Sequence, residues 1–330
     1  LRRFLILILV LLLVAGGLAG YAVHDYRSTP LIAEGAAVRL TVEPGTGIRQ
    51  LSRQLGARGL VDHPKVFALL ARLDGKANQL RAGVYEIKGG LTARELLERI
   101  ARGQSIQEQI RFIEGWTFRQ IRAVLDAHPG VRHDTKEVAE SVILEKVGAI
   151  EKSPEGLFFP DSYHFAAGTS DIVLLRQAYA RMRKILEGAW AGRTPDLPVR
   201  SPYEALILAS VVEKETGRPA DRPLIGAVFA NRLRIGMRLQ SDPTVIYGMG
   251  SRFDGNLRRA DLEADTPYNT YTRIGLPPTP IAAPGAASIA AVMNPPSSPA
   301  LYFVARGDGT SEFSSTLDEH NRAVARFQKR

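Results

Sequence analysis

The sequence predicts an α+β protein made of an N-terminal transmembrane helix, a small α/β module, and a mixed helical domain carrying a short β-hairpin. Three observations carry this. Phe4 to Val23 is a run of 20 residues without a charge. Residues 36–113 switch between strand-like alternation and short amphipathic helices. From Glu114 the texture is helical with long loops, until Leu301–Val304 and Phe313 flank an Asp308-Gly309 turn as a hairpin. The boundaries expected are 1–23 for the anchor, 24–35 for a linker, 36–113 for the module and 114–330 for the large domain.

The anchor follows from length. Twenty residues at about 1.5 Å each span about 30 Å, the hydrocarbon thickness of a bilayer. Arg2 and Arg3 precede the run and a long polar chain follows it, which orients the bulk of the protein outward. Gly20-Tyr21-Ala22 also fits a small-x-small cleavage site, but the unbroken stretch from Phe4 to Val14 favours a retained anchor. Leu1 stands where an initiator Met is expected, so an N-terminus that is trimmed or misread is the expectation there.

In the module, Val38 to Val42 alternates like a strand and stops at Pro44-Gly45. Ile48, Leu51 and Leu55 mark a helix after a Thr46 cap. Asp62 is placed as the cap of a second helix with Pro64 near its start. Val84 to Ile87 forms a second strand, and Thr92 with Glu95 opens a helix as a capping box. Ile106, Ile110 and Phe112 suggest a third strand. This β-α-α-β order resembles a LysM-type module, a fold that binds N-acetylglucosamine-containing glycans. A structural spacer accounts for the same pattern equally well.

Composition narrows the chemistry. With no cysteine, disulfides, thiol nucleophiles and Cys-based metal sites are out. The six histidines have no HxxxH or HExxH spacing, so no metal site and no cofactor is expected. The net charge of +9 favours anionic partners, yet the basic residues are scattered, which argues against nucleic acid.

The most informative segment is Ser201-Pro202-Tyr203-Glu204, a helix start with Ser at the N-cap, Pro at N1 and Glu at N3. Ala205 to Val212 follows with only Ser210 polar, so most of the helix circumference must be buried. Glu213-Lys214-Glu215-Thr216 comes directly after, and Gly217 stops the helix. Near the negative end of a helix, and partly buried, a carboxyl keeps its proton to higher pH, as an acid for glycosidic cleavage needs. By helical angle Glu213 and Glu215 are nearly tied. Pairing of either with Arg218 or Arg222 as ordinary charges also stays open. Downstream, Asn231, Gln240, Asp242, Tyr247, Tyr268, Asn269 and Tyr271 lie in loops rich in amides, hydroxyls and rings. Such groups suit a neutral sugar polymer, and nearby arginines suit carboxylates on its peptide stems.

Ala209-Ser210-Val211-Val212-Glu213-Lys214-Glu215-Thr216, Asn231-Arg232-Leu233, Leu239 to Gly248 and Tyr268-Asn269-Thr270-Tyr271 together resemble the endolytic murein transglycosylase (MltG, YceG-like) family. The likeness extends over the anchor, the module, the Glu155 to Tyr163 aromatic turn and the large domain. Departures are conservative, such as Ser241 where Thr is familiar, and none is expected to touch the catalyst. The resemblance implies that Glu215 is catalytic and that Thr216 corresponds to the Ser after the catalytic Glu of other lytic transglycosylases. It implies one carboxylate that first protonates the bridging oxygen between N-acetylmuramic acid and N-acetylglucosamine. The same group then deprotonates the muramic C6 hydroxyl, giving a 1,6-anhydro end. A two-carboxylate hydrolase using Glu213 or Asp242 remains the alternative. The implied setting is the outer, periplasmic face of the bacterial inner membrane. The implied partners are peptidoglycan glycan strands and neighbouring glycan polymerases, with strand length as the quantity controlled.

Overall fold

The computed structural model describes residues 2–328 and is a mixed α and β structure that divides into two compact units. One unit runs up to Gln109 and takes in Gly130–Arg132 and His164–Thr169. The other holds Ile110–Pro129, His133–Tyr163 and the chain from Ser170 onward. Leu1, Lys329 and Arg330 lie outside the described residues.

The first unit begins with α1 (Arg2–Ser28), long and apolar enough to cross a membrane. It continues through β1 (Ala37–Val42), α2 (Ile48–Ala57), α3 (Pro64–Leu73), β2 (Gly83–Lys88) and α4 (Ala93–Arg102). β1 and β2 pair antiparallel from Ala37↔Lys88 to Val42↔Gly83. The inward faces of this pair, Leu40, Val42, Tyr85 and Ile87, meet Leu51 and Leu55 of α2 and Leu96, Leu97 and Ile100 of α4 in one core. At α4 the expected capping box forms, with Thr92 Oγ1 accepting from the Glu95 amide and Glu95 accepting from the Thr92 amide.

Three local expectations are corrected. The N-caps of α2 and α3 are Gly47 and His63 rather than Thr46 and Asp62, and neither contributes a side-chain hydrogen bond. The expected third strand forms as β3 (Gln107–Arg111), and only its place in the module changes, since it pairs with β5 (Ser162–Ala166), a partner remote in sequence. The segment expected to be a linker is ordered by the core. α1 runs on to Ser28, the Leu31 amide donates to the Leu91 carbonyl at 2.8 Å, and Leu31 and Ile32 pack on the core cluster. Tyr26, 4% exposed, sets its ring edge-on to Phe67 at 5.9 Å and its hydroxyl donates to Asp74 at 3.1 Å. The apolar helix therefore enters the first unit as a packed element.

In the second unit come α5 (Phe118–Ala127) and α6 (Glu140–Val147), while β4 (Val131–Arg132) falls in the first and β5 and β6 (Thr169–Ser170) are divided between the two. β4 pairs with β6. Then come α7 (Asp171–Ala191), α8 (Pro202–Glu215), α9 (Arg222–Arg234), α10 (Asp242–Met249), α11 (Arg259–Glu263) and α12 (Ala286–Met293). The hairpin of β7 (Tyr302–Ala305) and β8 (Ser311–Ser314) and the last helix, α13 (Leu317–Phe327), complete it. α8 is the axis of this unit. Ala205 to Val212 are all buried, because α7, α9, α10 and α12 surround the helix. Its one polar residue there, Ser210, donates to the Ile207 carbonyl and accepts from the Ile281 amide at 3.0 Å, so no buried hydroxyl is left unpaired. α9 and α12 approach closely at Gly226, where a Cβ would stand 2.7 Å from the Ala291 carbonyl oxygen.

The Tyr26 contact makes the end of α1 part of the first unit's stability. Tyr26→Ala is expected to remove roughly 3 kcal/mol and Tyr26→Phe about 1 kcal/mol. Amide hydrogen exchange in α2 and α4 measures both losses, and unchanged protection in Tyr26→Ala would mean that α1 is merely tethered.

Candidate active site

Two carboxylates leave the buried α8 within three residues, and their surroundings separate them. Glu213, whose side chain is 6% exposed, accepts from the Gly285 amide at 2.9 Å and from the Ser288 hydroxyl at 2.7 Å. A terminal nitrogen of Arg222 lies 3.6 Å from its other oxygen. The group thus fastens the end of α8 to the start of α12 and to α9, with both oxygens engaged. Glu215, half-buried, is met by one hydrogen bond among the described residues, donated by Ser241 Oγ at 2.8 Å. Burial is the largest influence on Glu215 and pushes its pKa up to about 7 from an ordinary 4.5. The Ser241 hydrogen bond opposes that, the charge of Asp242 adds to it, and the charge of Arg232 opposes it again. Near neutral pH this carboxyl exists in both forms.

Ser241 is placed by an unusual backbone. Gln240 has φ of 49°, left-handed for a residue other than glycine. It is held there as its amide donates to the Thr270 carbonyl at 3.1 Å. The Ser241 amide donates to Thr270 Oγ1 at 3.0 Å, and the Thr244 hydroxyl lies 2.9 Å from the same oxygen. Asp242 opens α10, and its carboxylate accepts from the Tyr271 hydroxyl at 2.5 Å. Arg232 is buried between carbonyls, donating to Leu301 and Leu239 at 2.7 and 2.5 Å.

Of the residues expected from sequence, Glu215, Asp242 and Tyr271 come together, joined by Ser241. Thr216 is the C-cap of α8, and its hydroxyl accepts from the Arg218 amide. The Gln240 side chain is exposed, with no hydrogen bond among the described residues. Asn231 and Asn269 are not presented to a ligand. Asn231 donates to the carbonyls of Ser298 and Ala300. Asn269, 1% exposed, donates to those of Asp261, Leu262 and Ala264 and accepts from the Tyr271 amide. Both amides hold loops in shape. Ser241 is a correction as well, since this departure from the familiar pattern does touch Glu215.

Tyr247 and Tyr268 lie further along the same unit, their rings edge-to-face at 4.9 Å. They line a cleft of about 830 Å³ that also reaches Lys214 and Pro243, the chain neighbours of Glu215 and Asp242. At its wall sits Glu155, 5% exposed, which accepts from the Phe118 amide at 2.9 Å and from the Tyr247 hydroxyl at 3.1 Å. Burial raises its pKa to about 7, against those hydrogen bonds. Glu155 was visible in sequence only as part of an aromatic turn. Its left-handed neighbour Gly156 (φ 76°) was the available signal, since a Cβ there would meet Pro280 at 2.5 Å. Asp126, His133 and Asp171 also bring ligand-type atoms within 4.8 Å of one another, a grouping that His spacing did not reveal. Both Asp171 oxygens already accept N–H or O–H hydrogens, from Asp134, Thr135 and Ile172, so that carboxylate caps backbone.

Comparison with known proteins agrees with this architecture. The sequence pattern of the YceG-like family matches residues 40–326. An endolytic murein transglycosylase of Bacillus subtilis is 29% identical over 307 residues, covering 88% of this chain and 84% of that protein. One of Streptococcus pneumoniae is also 29% identical, over 97% of this chain but only 64% of its own length. The crystal structure of a yceG-like protein from Listeria monocytogenes superposes with a TM-score of 0.52 at 26% identity, covering 87% of this chain and 98% of that one.

The two glutamates are expected to respond oppositely to the same substitution. Glu213→Gln leaves Arg222 without its buried counter-charge and lowers stability by roughly 3 kcal/mol. Glu215 is ionised above about pH 4.5 when unfolded but only above about 7 when folded. The folded state therefore loses stability as pH rises through that window. Glu215→Gln should be more stable than wild type by up to ~3 kcal/mol at pH 8 and equal to it below pH 4. Denaturant unfolding at the two pH values measures this, and a pH-independent difference would refute the raised pKa.

Proposed function

The chain belongs to the YceG-like family, and from that premise we propose that it is an endolytic murein transglycosylase, a lyase that cuts peptidoglycan strands and leaves 1,6-anhydromuramic ends. The observation that carries the reading is the isolation of Glu215. It is a carboxyl poised near neutrality at the end of a buried helix, while its sibling Glu213 is fully engaged. In the protonated form Glu215 gives its proton to the bridging oxygen, and the bond from the muramic C1 to that oxygen breaks. The carboxylate left behind is the form favoured by the Ser241 hydroxyl and the positive field of Arg232. It takes the proton of the muramic C6 hydroxyl as that oxygen bonds to C1. Protons balance, and no water is consumed. The nucleophile is already tethered to the reacting carbon, which supplies the proximity that a bound water would otherwise need.

Asp242 and Tyr271 beside the acid, and Tyr247 and Tyr268 in the adjoining cleft, are the proposed sugar contacts, with the polar rim of Thr216 and Gln240 completing them. α1 supports a single-pass anchor, with the outer face of the inner membrane as the proposed setting and glycan polymerases as proposed neighbours. The β1-α2-α3-β2 order supports a LysM-like glycan-binding role for the first unit.

Incubating the full-length protein with nascent glycan strands and weighing the products tests this. Ends of 1,6-anhydromuramic acid are expected, with Glu215→Gln slower by about 10²–10⁴-fold. Ends one water heavier would make the enzyme a hydrolase, and equal cleavage by Glu215→Gln would remove this catalyst. The rate should fall above about pH 7 as Glu215 loses its proton. Ser241→Ala should move that limb to higher pH, because the lost hydrogen bond favoured the carboxylate.

A further inference from the structure

The cleft beside Glu215 is not lined as a site for neutral sugar alone. Its apolar wall includes Phe118, Ile246 and Phe253. Around them stand three exposed charges, Arg119, Lys214 and Glu140. None of the three takes part in an ion pair among the described residues. Lys214 makes one long hydrogen bond, 3.3 Å to the Gly115 carbonyl, which leaves two of its donors for a ligand. The N-terminus of α5, capped by Thr117 and bearing no acidic residue in its first turn, adds positive potential on the same side. Two cations, one carboxylate and apolar surface between them complement a short zwitterionic peptide. A glycan of neutral N-acetyl sugars offers nothing to pair with those charges.

We infer that this cleft is the subsite for the peptide stem carried by the muramic acid at the cleavage point, with Arg119 and Lys214 receiving stem carboxylates and Glu140 the side-chain amine. This rests on the murein-cutting reading and adds to it a determinant of which strands are cut. Two lining residues support it: Lys214 precedes Glu215 in the chain and Pro243 follows Asp242. The stem branches from the same muramic residue whose C1 reacts, so a peptide site near the acid is where the substrate places its branch. The cleft's 830 Å³ falls within the range of small-ligand sites. Glu155 at the wall is close enough to Glu140 for that charge to raise its pKa slightly. In its protonated form Glu155 adds no second negative charge against the stem carboxylates.

The test is binding of the free stem pentapeptide to the full-length Glu215→Gln protein, followed by nuclear magnetic resonance or calorimetry. Saturable binding is expected, weakened about three- to fivefold by Arg119→Gln and by a similar factor in Glu140→Gln, and weakened further by raised salt. Thermal unfolding of each variant should match its parent, which separates lost binding from lost fold. Absence of saturable binding, or binding unaltered in Arg119→Gln, overturns the assignment. Cleavage of stem-stripped strands by the wild-type protein reports separately on the murein-cutting reading, which survives if only the peptide site fails.

Discussion

A helix buried on every side has to surrender its polar end somewhere, and α8 does so through Glu213. Eight consecutive residues from Ala205 to Val212 are enclosed by four helices. The unsatisfied carbonyls at the C-terminus therefore emerge in a crowded place rather than in open water. Beside them Glu213, an acceptor like those carbonyls, accepts from the Gly285 amide and the Ser288 hydroxyl at the first turn of α12, with Arg222 at the start of α9 opposite its other oxygen. A carboxylate at a helix N-terminus and a counter-ion within reach are both favourable, so one side chain fixes three helices at one point. The remaining site geometry is referred to this clasp, because Glu215 follows on the same helix only two residues later.

The loop that faces Glu215 is held with comparable care. A left-handed Gln240 costs on the order of 1 kcal/mol and persists only where its surroundings over-determine it. Here the hydrogen bonds that Gln240 and Ser241 make to Thr270 offset that cost, and the result is a serine hydroxyl aimed at one carboxyl oxygen. Asn269 steadies the other side of the strap by gathering three carbonyls from the Asp261–Ala264 turn. Strain is thus stored beside Glu215.

The same strap explains what sequence could and could not convey. Helix starts were legible because capping chemistry is local. Ser201 and Thr92 each accept the backbone N–H three residues on, as their patterns required, whereas Thr46 and Asp62, without such a pattern, are passed over for Gly47 and His63. The burial of α8 was legible because eight residues with a single hydroxyl leave no polar face. The partners of polar loop residues were not, because an Asn in a loop has the same composition whether it binds a sugar or its own backbone. Asn231 and Asn269 are of the second kind. Glu213 and Glu215 differ in their hydrogen bonds to residues 26 to 75 positions away in the chain, a separation that helical angle cannot resolve. The pairing of β3 with β5 and the packing of Tyr26 on Phe67 were hidden for the same reason.

Two identical side chains two residues apart end in different surroundings because the number and charge of their partners differ. A buried carboxyl keeps its proton unless donors compensate for the water it has lost. Glu213 has two neutral donors and a nearby guanidinium. Glu215 has one neutral hydroxyl, the more distant field of Arg232, and the opposing charge of Asp242. A neutral hydrogen bond is worth only about 1 kcal/mol net, too little to offset burial and enough to keep the anionic form within reach. In the proposed reaction Glu215 gives up a proton and then takes one back, which needs that intermediate balance. A second strong donor would hold the carboxylate too firmly to be reprotonated near neutral pH, and an apolar neighbour in place of Ser241 would hold the proton too firmly to be released. Substituting serine for threonine at this position keeps the hydroxyl and so preserves the balance, which makes that departure from the familiar pattern chemically conservative even though it touches the acid.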